Sequence, residues 1–132
     1  MSLSVDDHIA ITQLYAKYNH AIDSGNGAAW AGMFSENGVF SSASGTFTGT
    51  EQLAGFATGF AANLKARHWT NNLVIEGDGK KATGSCYLLL YRLTPGQQPP
   101  ASLLVTAIYN DELAKSADGS WRFTKRTVTG DA

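Results

Sequence analysis

Few side chains in this sequence can carry a proton near neutral pH. His8, His20 and His68 are its histidines and Cys86 is its single cysteine. Asp23 closes a stretch of helical period, so its carboxylate faces the negative end of the helix dipole, a penalty of roughly 0.3–1 kcal/mol. A cationic or hydrogen-donating partner would offset that penalty, and His68 is the candidate. A carboxylate that accepts the hydrogen of one imidazole nitrogen fixes the tautomer and leaves the other nitrogen free to act as a base. Such a base contributes about 10²–10⁴ in rate to removal of a carbon-bound or hydroxyl proton. Plainer readings stand beside this one. Asp23-Ser24-Gly25 can be a helix-ending turn whose carboxylate bonds local amides, and His68 can be a half-buried ring satisfied by a backbone carbonyl. His20, three residues before Asp23 on the same helix, is a reserve base or a local surface partner of the carboxylate. His8 falls in the first helical turn and is read as solvated.

Other chemistries lack their residues. One cysteine allows no internal disulfide and no thiolate cluster, and no HExxH or two-His-one-carboxylate set supports a metal. No glycine-rich loop follows a strand to hold phosphate, and no GxSxG is present. No cofactor is therefore expected. The net charge is −1 and the ten basic residues are scattered, so no strip of Lys and Arg exists to neutralise a run of phosphates. Lys80-Lys81 and Lys125-Arg126, the only adjacent basic pairs, are read as exposed strand ends. No apolar segment approaches the roughly 20 residues needed to cross a bilayer, and the first residues lack the features of a secretory signal. A soluble cytoplasmic protein without nucleic-acid or membrane partners is expected.

The elements that must position these residues follow from periodicity. With 132 residues, 43% of them hydrophobic and 16% charged, the chain is expected to form one globular domain over residues 1–132. Ile11, Leu14, Tyr15, Tyr18, Ala21 and Ile22 recur at spacings of three and four, which predicts a helix over 4–23 with a capping box at Ser4 and Asp7. Gly25 and Gly27 end it. A short second helix over 28–34 carries Trp30, Met33 and Phe34, and short strands over 39–43 and 45–47 follow. Thr50 is read as the cap of a third helix running to about Ala66. Gly55 and Gly59 within it suggest a close backbone approach. Strands are predicted over 68–76, 81–93, 102–113 and 121–129, so helices precede a long meander and the class is α+β. Leu88-Leu89-Leu90 and Leu103-Leu104-Val105 do not alternate with polar residues, so both faces of the sheet need cover. Helices supply one cover, and a second copy of the chain, in a homodimer packed through the sheet, is the expected other.

Several short motifs then resemble the SnoaL-like branch of the NTF2-like superfamily. They are Leu14-Tyr15-Ala16-Lys17-Tyr18 running into Ala21-Ile22-Asp23, Ala29-Trp30-Ala31 with Phe34, Glu36-Asn37-Gly38-Val39-Phe40, Arg67-His68 with Asn72, and Asp118-Gly119-Ser120-Trp121-Arg122-Phe123. Together they span nearly the whole chain. The resemblance implies an NTF2-like cone, three helices packed on a curved, mixed-order, largely antiparallel sheet that encloses an apolar pocket. It also implies a dyad. In the dehydratases and the dehydrochlorinase of this superfamily an Asp ending the first helix orients a His opening the first long strand, and Asp23 and His68 occupy those places.

The expected function is that of a cofactor-independent lyase or isomerase of dehydratase or polyketide-cyclase type, acting on a small apolar, cyclic molecule. A non-catalytic ligand-binding or assembly domain of the same fold is the alternative, because the superfamily holds both kinds. Asn72 shares strand parity with His68 and Thr70 and is expected to hold a substrate oxygen, or to be a plain sheet-face residue. Tyr15, Trp30 and Phe34 are read as pocket wall or core. Tyr109, with Tyr87 and Tyr91, is a phenol for a substrate carbonyl or a packing residue, and Trp121 is read as core.

Overall fold

The computed structural model describes residues 2–132. Helix α1, Val5–Ser24, is the long amphipathic helix that the periodicity predicts, and all six residues of the apolar stripe are buried. Its start is a complete capping box: the Asp7 amide donates to the Ser4 hydroxyl, and the Ser4 amide donates to the Asp7 carboxylate. Asp7 is itself buried. It also accepts the Trp121 indole N–H at 3.0 Å and faces the Lys115 ammonium at 2.9 Å. These donors hold its carboxyl well below the usual carboxylate range and tie the helix start to the end of the sheet. At the other end Gly25, with φ of 75°, takes the left-handed cap that a residue with a Cβ adopts only under strain. The last turn therefore closes just beyond Asp23.

Helix α2, Gly27–Gly32, is shorter than expected, because Phe34 already begins strand β1, Phe34–Ser42. Strand β2, Gly45–Thr48, pairs back on β1, and helix α3, Thr50–Asn63, follows. Thr50 is not its cap. Gly49 occupies that position without a side-chain hydrogen bond, and Gln52 instead accepts the Thr48 amide at 2.9 Å. The helix stops before Ala66 because Leu64 is extended and Ala66 opens the next strand. Gly55 and Gly59 face open space. The close approach is made from the other side, by Gly27 of α2, where a Cβ would run into Thr58 and the Ala54 carbonyl of α3.

The remaining strands are β3, Ala66–Gly77; β4, Lys81–Leu93; β5, Ala101–Lys115; and β6, Trp121–Gly130. They form an antiparallel meander, and β1 then pairs with β6 in parallel, giving one sheet in the order β2-β1-β6-β5-β4-β3. The sheet does not close on itself, so β3 is an edge, and α1 lies beside it. The helices and the inner sheet face share an aromatic core. Trp30, wholly buried, packs at 5.0 Å from Phe34 and 5.3 Å from Phe40, and Tyr18 packs at 5.4 Å from Trp30 and 5.7 Å from Phe123. Trp121 is in the core, as expected.

Arg126 corrects the sequence reading. The pair Lys125-Arg126 is split by strand alternation, with Lys125 exposed and Arg126 entirely buried. Its register partner on β5 is Asp111, also buried, and the guanidinium Nε lies 3.0 Å from the carboxylate. The guanidinium stacks at 3.4 Å over the Tyr109 ring and 4.3 Å over Tyr18. Tyr15 donates its hydroxyl to the other Asp111 oxygen. Gly84, opposite Asp111 on β4, makes room for that hydroxyl, since a Cβ there would collide with it.

Candidate active site

A cavity of about 800 Å³ lies between α1 and the edge strand β3. Helix α1 contributes Tyr15, Asn19, His20 and Asp23, β3 contributes His68, Thr70, Asn71 and Leu73, and Cys86 of β4 is also part of the lining. Spacings of four on the helix bring Tyr15, Asn19 and Asp23 to one stripe, and spacings of two on the strand bring His68 and Thr70 to one face. The chain thus sets two regular elements side by side and aims alternate polar groups into the space between them.

Asp23 and His68 meet here. The imidazole Nδ1 lies 2.6 Å from Asp23 Oδ1. The same carboxylate accepts the backbone N–H of His68, at 3.2 Å and 3.1 Å to its two oxygens. The carboxylate that the helix dipole disfavours is therefore compensated by two donors from one residue, one of which satisfies an otherwise open amide on an edge strand. The side chains are 7% exposed for His68 and 19% for Asp23, so the pair is largely sheltered and still reachable from the cavity. The Phe60 ring, 5.6 Å from the imidazole, flanks it. With Nδ1–H directed at the carboxylate, Nε2 is left as the basic nitrogen.

The other expected site residues divide. Tyr15 lines the cavity, but its hydroxyl is committed to Asp111. Burial and the Asp111 charge push the phenol above its usual range. Trp30, Phe34 and Tyr109 are core residues and do not line the cavity. Burial pushes the Tyr109 phenol up to about 12. Cys86 is a buried thiol raised by burial to about 11, so it is neutral near pH 7 and no nucleophile. His20 is exposed on the cavity rim and makes no bond with Asp23. His8 is exposed.

Asn72 is displaced by a bulge. The β3–β4 register breaks between Asn71 and Val74, and Asn72 has φ of 55°. One extra residue reverses the alternation. Beyond it, Leu73 and Ile75 are the half-buried residues while Asn72 and Val74 are exposed. Asn72 therefore leaves the cavity, and Asn71 and Leu73 line it instead. Two residues that the sequence reading gave no role stand beside the dyad. Asn19 precedes Asp23 by one helical turn, and its amide donates to the Thr70 hydroxyl at 3.0 Å. With these groups the wall sets a few polar side chains among mostly apolar surface.

Among the described residues no cluster of three His, Cys, Asp or Glu could hold a metal, and no helix is long and apolar enough to cross a membrane.

The fold agrees with that of known proteins similar to this chain. A family model described as a SnoaL-like domain matches residues 4–127. A variant of Rv3472, a protein of unknown function from Mycobacterium tuberculosis, is 32% identical with a TM-score of 0.86 over 93% of this chain and 70% of that one. An NTF2-like protein with a cystatin-like fold from Novosphingobium aromaticivorans is 21% identical, TM-score 0.85, over 94% of this chain and 81% of its own. ActVI-ORFA from Streptomyces coelicolor is 20% identical, TM-score 0.84, over 94% of this chain and 97% of its own. No curated protein matches the sequence.

Proposed function

This chain belongs to the SnoaL-like family and has its NTF2-like fold, and we propose that it is a cofactor-independent acid/base enzyme of dehydratase, isomerase or cyclase type. The observation that carries the proposal is the 2.6 Å contact between Asp23 and His68 on the wall of an accessible cavity. A helix-ending turn would have spent the carboxylate on local amides, and a structural histidine would have bonded a carbonyl. Neither happens.

The reaction can be written with protein groups alone. His68 Nε2 takes a proton from the carbon next to a carbonyl, and the C–H electrons pass into an enolate. Asp23 stabilises the imidazolium so formed. In a dehydration, the enolate re-forms its carbonyl and expels a β-hydroxyl, which takes the proton back from His68 and leaves as water. No oxidant is consumed and the dyad ends as it began. Return of the proton to another carbon gives isomerisation. The substrate class is a small cyclic carbonyl compound bearing further oxygens, since Asn19, Thr70 and Asn71 line the same space.

A β-hydroxytetralone in D₂O tests this. The expected result is deuterium at the carbon next to the carbonyl, together with naphthol from loss of water. Exchange and dehydration no faster than with the His68→Ala variant would overturn the proposal.

The protein is further proposed to act as a homodimer packed through its outer sheet face. Trp69, Tyr87 and Leu103 lie on that face, 46%, 52% and 53% exposed, and Leu89 and Tyr91 lie between them. An apolar patch of this kind on a sheet favours association. Sedimentation at micromolar concentration should give a dimer mass that Leu103→Asp reduces to a monomer. A monomeric native chain would remove this part of the reading.

A further inference from the structure

We infer that the Thr70 hydroxyl is a substrate-oxygen donor for the reaction at His68, and that Asn19 is the positioning residue that turns it toward the cavity. The inference rests on the acid/base reading and identifies the groups that would complete it. Thr70 follows His68 by two residues on β3 before the bulge, so both side chains lie on the inner face, with Cα atoms about 6.6 Å apart. Both line the cavity. Asn19 donates its amide N–H to Thr70 Oγ1 at 3.0 Å, so the hydroxyl is an acceptor in that contact. Its own proton meets no acceptor among the described residues.

A hydroxyl whose lone pair is claimed from the helix side has its O–H free for a group in the cavity. The amide of Asn19 is fixed by this one bond, because its oxygen is buried without a partner. Buried polar atoms are seldom left so. A residue kept only for stability gains little here, whereas one that orients a neighbour's hydroxyl does.

The spacing suits the chemistry. Proton removal at His68 sends negative charge to a carbonyl oxygen one bond beyond the reacting carbon. A base and a donor one strand repeat apart can reach the two ends of that C–C=O unit. The donor bonds the oxygen more strongly as charge develops there, which lowers the barrier more than it aids binding. The oxygen-holding role expected of Asn72 is thereby met on the near side of the bulge.

Kinetics with the β-hydroxytetralone and equilibrium binding of its naphthol product test the assignment. Thr70→Val keeps the shape and removes the donor. It should lower kcat about tenfold or more with little change in KM, and weaken naphthol binding about tenfold. Thr70→Ser should restore most of both. Asn19→Leu should lower kcat in the same direction while leaving Tm unchanged or higher, since it removes a buried unpartnered oxygen; a purely structural residue would show the reverse. Native kcat and naphthol affinity in Thr70→Val, with His68→Ala inactive, would overturn this inference alone. Native turnover in His68→Ala would instead overturn the acid/base reading beneath it.

Discussion

His68→Gln should turn over the β-hydroxytetralone at least about a hundredfold more slowly than the native chain, the loss expected when a general base is removed. Glutamine can still donate toward Asp23 but cannot take a proton. Asp23→Asn should also be slow, because an amide neither fixes the imidazole tautomer nor stabilises the imidazolium. The double variant should be little slower than the worse single one, since the two groups act as one unit. Stability separates the partners. Asp23 also accepts the backbone amide of His68 at 3.1–3.2 Å, so Asp23→Ala should lower Tm more than His68→Gln does. Additive losses would place the base elsewhere. His20, exposed on the cavity rim, would then be the next residue to replace.

The dyad was legible mainly through the family resemblance, which pairs an Asp ending the first helix with a His opening the first long strand, at places that strong local signals also mark. Asp23 sits two residues before a glycine cap, and His68 sits where a helical pattern gives way to strands. The order of elements was legible from those same signals. The parallel pairing of β1 with β6 was not, since no local pattern in 34–42 records a partner more than 80 residues away. Asn72 illustrates a different limit. Strand parity carries only as far as the strand stays regular, and the bulge after Asn71 reverses it without any glycine or proline to announce the change. Asn19 and Thr70 are ordinary residues for a helix and a strand. They acquire meaning only when α1 and β3 are laid side by side, although each stands at the repeat distance from a dyad member.

Arg126 shows the cost of reading charge by adjacency. Beside Lys125 it looks like half of a solvated pair, yet alternation sends it into the core, where Asp111 waits at the matching position of β5. The cue was present: Asp111 shares parity with Ala107, Tyr109 and Leu113, all buried, and a buried carboxylate requires a buried partner.

Arg126→Met should therefore be among the most destabilising single substitutions in the chain. It removes the charge that compensates Asp111 and leaves an ionised carboxylate, or a carboxyl forced to bind a proton, in a dry interior. Breaking a buried pair from one side costs about 3–5 kcal/mol, a large share of the roughly 5–15 kcal/mol that holds a domain folded. Burial already pushes the Asp111 carboxyl upward against the pull of Arg126 and of the Tyr15 hydroxyl; without the guanidinium it should rise further. Stability of Arg126→Met should accordingly fall as pH increases through that raised value, because the unfolded chain ionises the carboxyl freely and the folded one does not. Urea titrations at two pH values read this directly. Arg126→Lys keeps a charge but loses the planar stacking on Tyr109 and Tyr18, so an intermediate loss is expected. The variant carrying both Asp111→Leu and Arg126→Met has no stranded charge and should be more stable than Arg126→Met alone. A loss below about 1 kcal/mol in Arg126→Met, or a double variant no better than the single, would show that the pair does not couple as its geometry implies. The consequence reaches the site, because Tyr15 and Cys86 touch this pair on one side and line the cavity on the other. A domain that survives Arg126→Met should therefore hold its dyad less firmly, with kcat falling even though neither Asp23 nor His68 has changed.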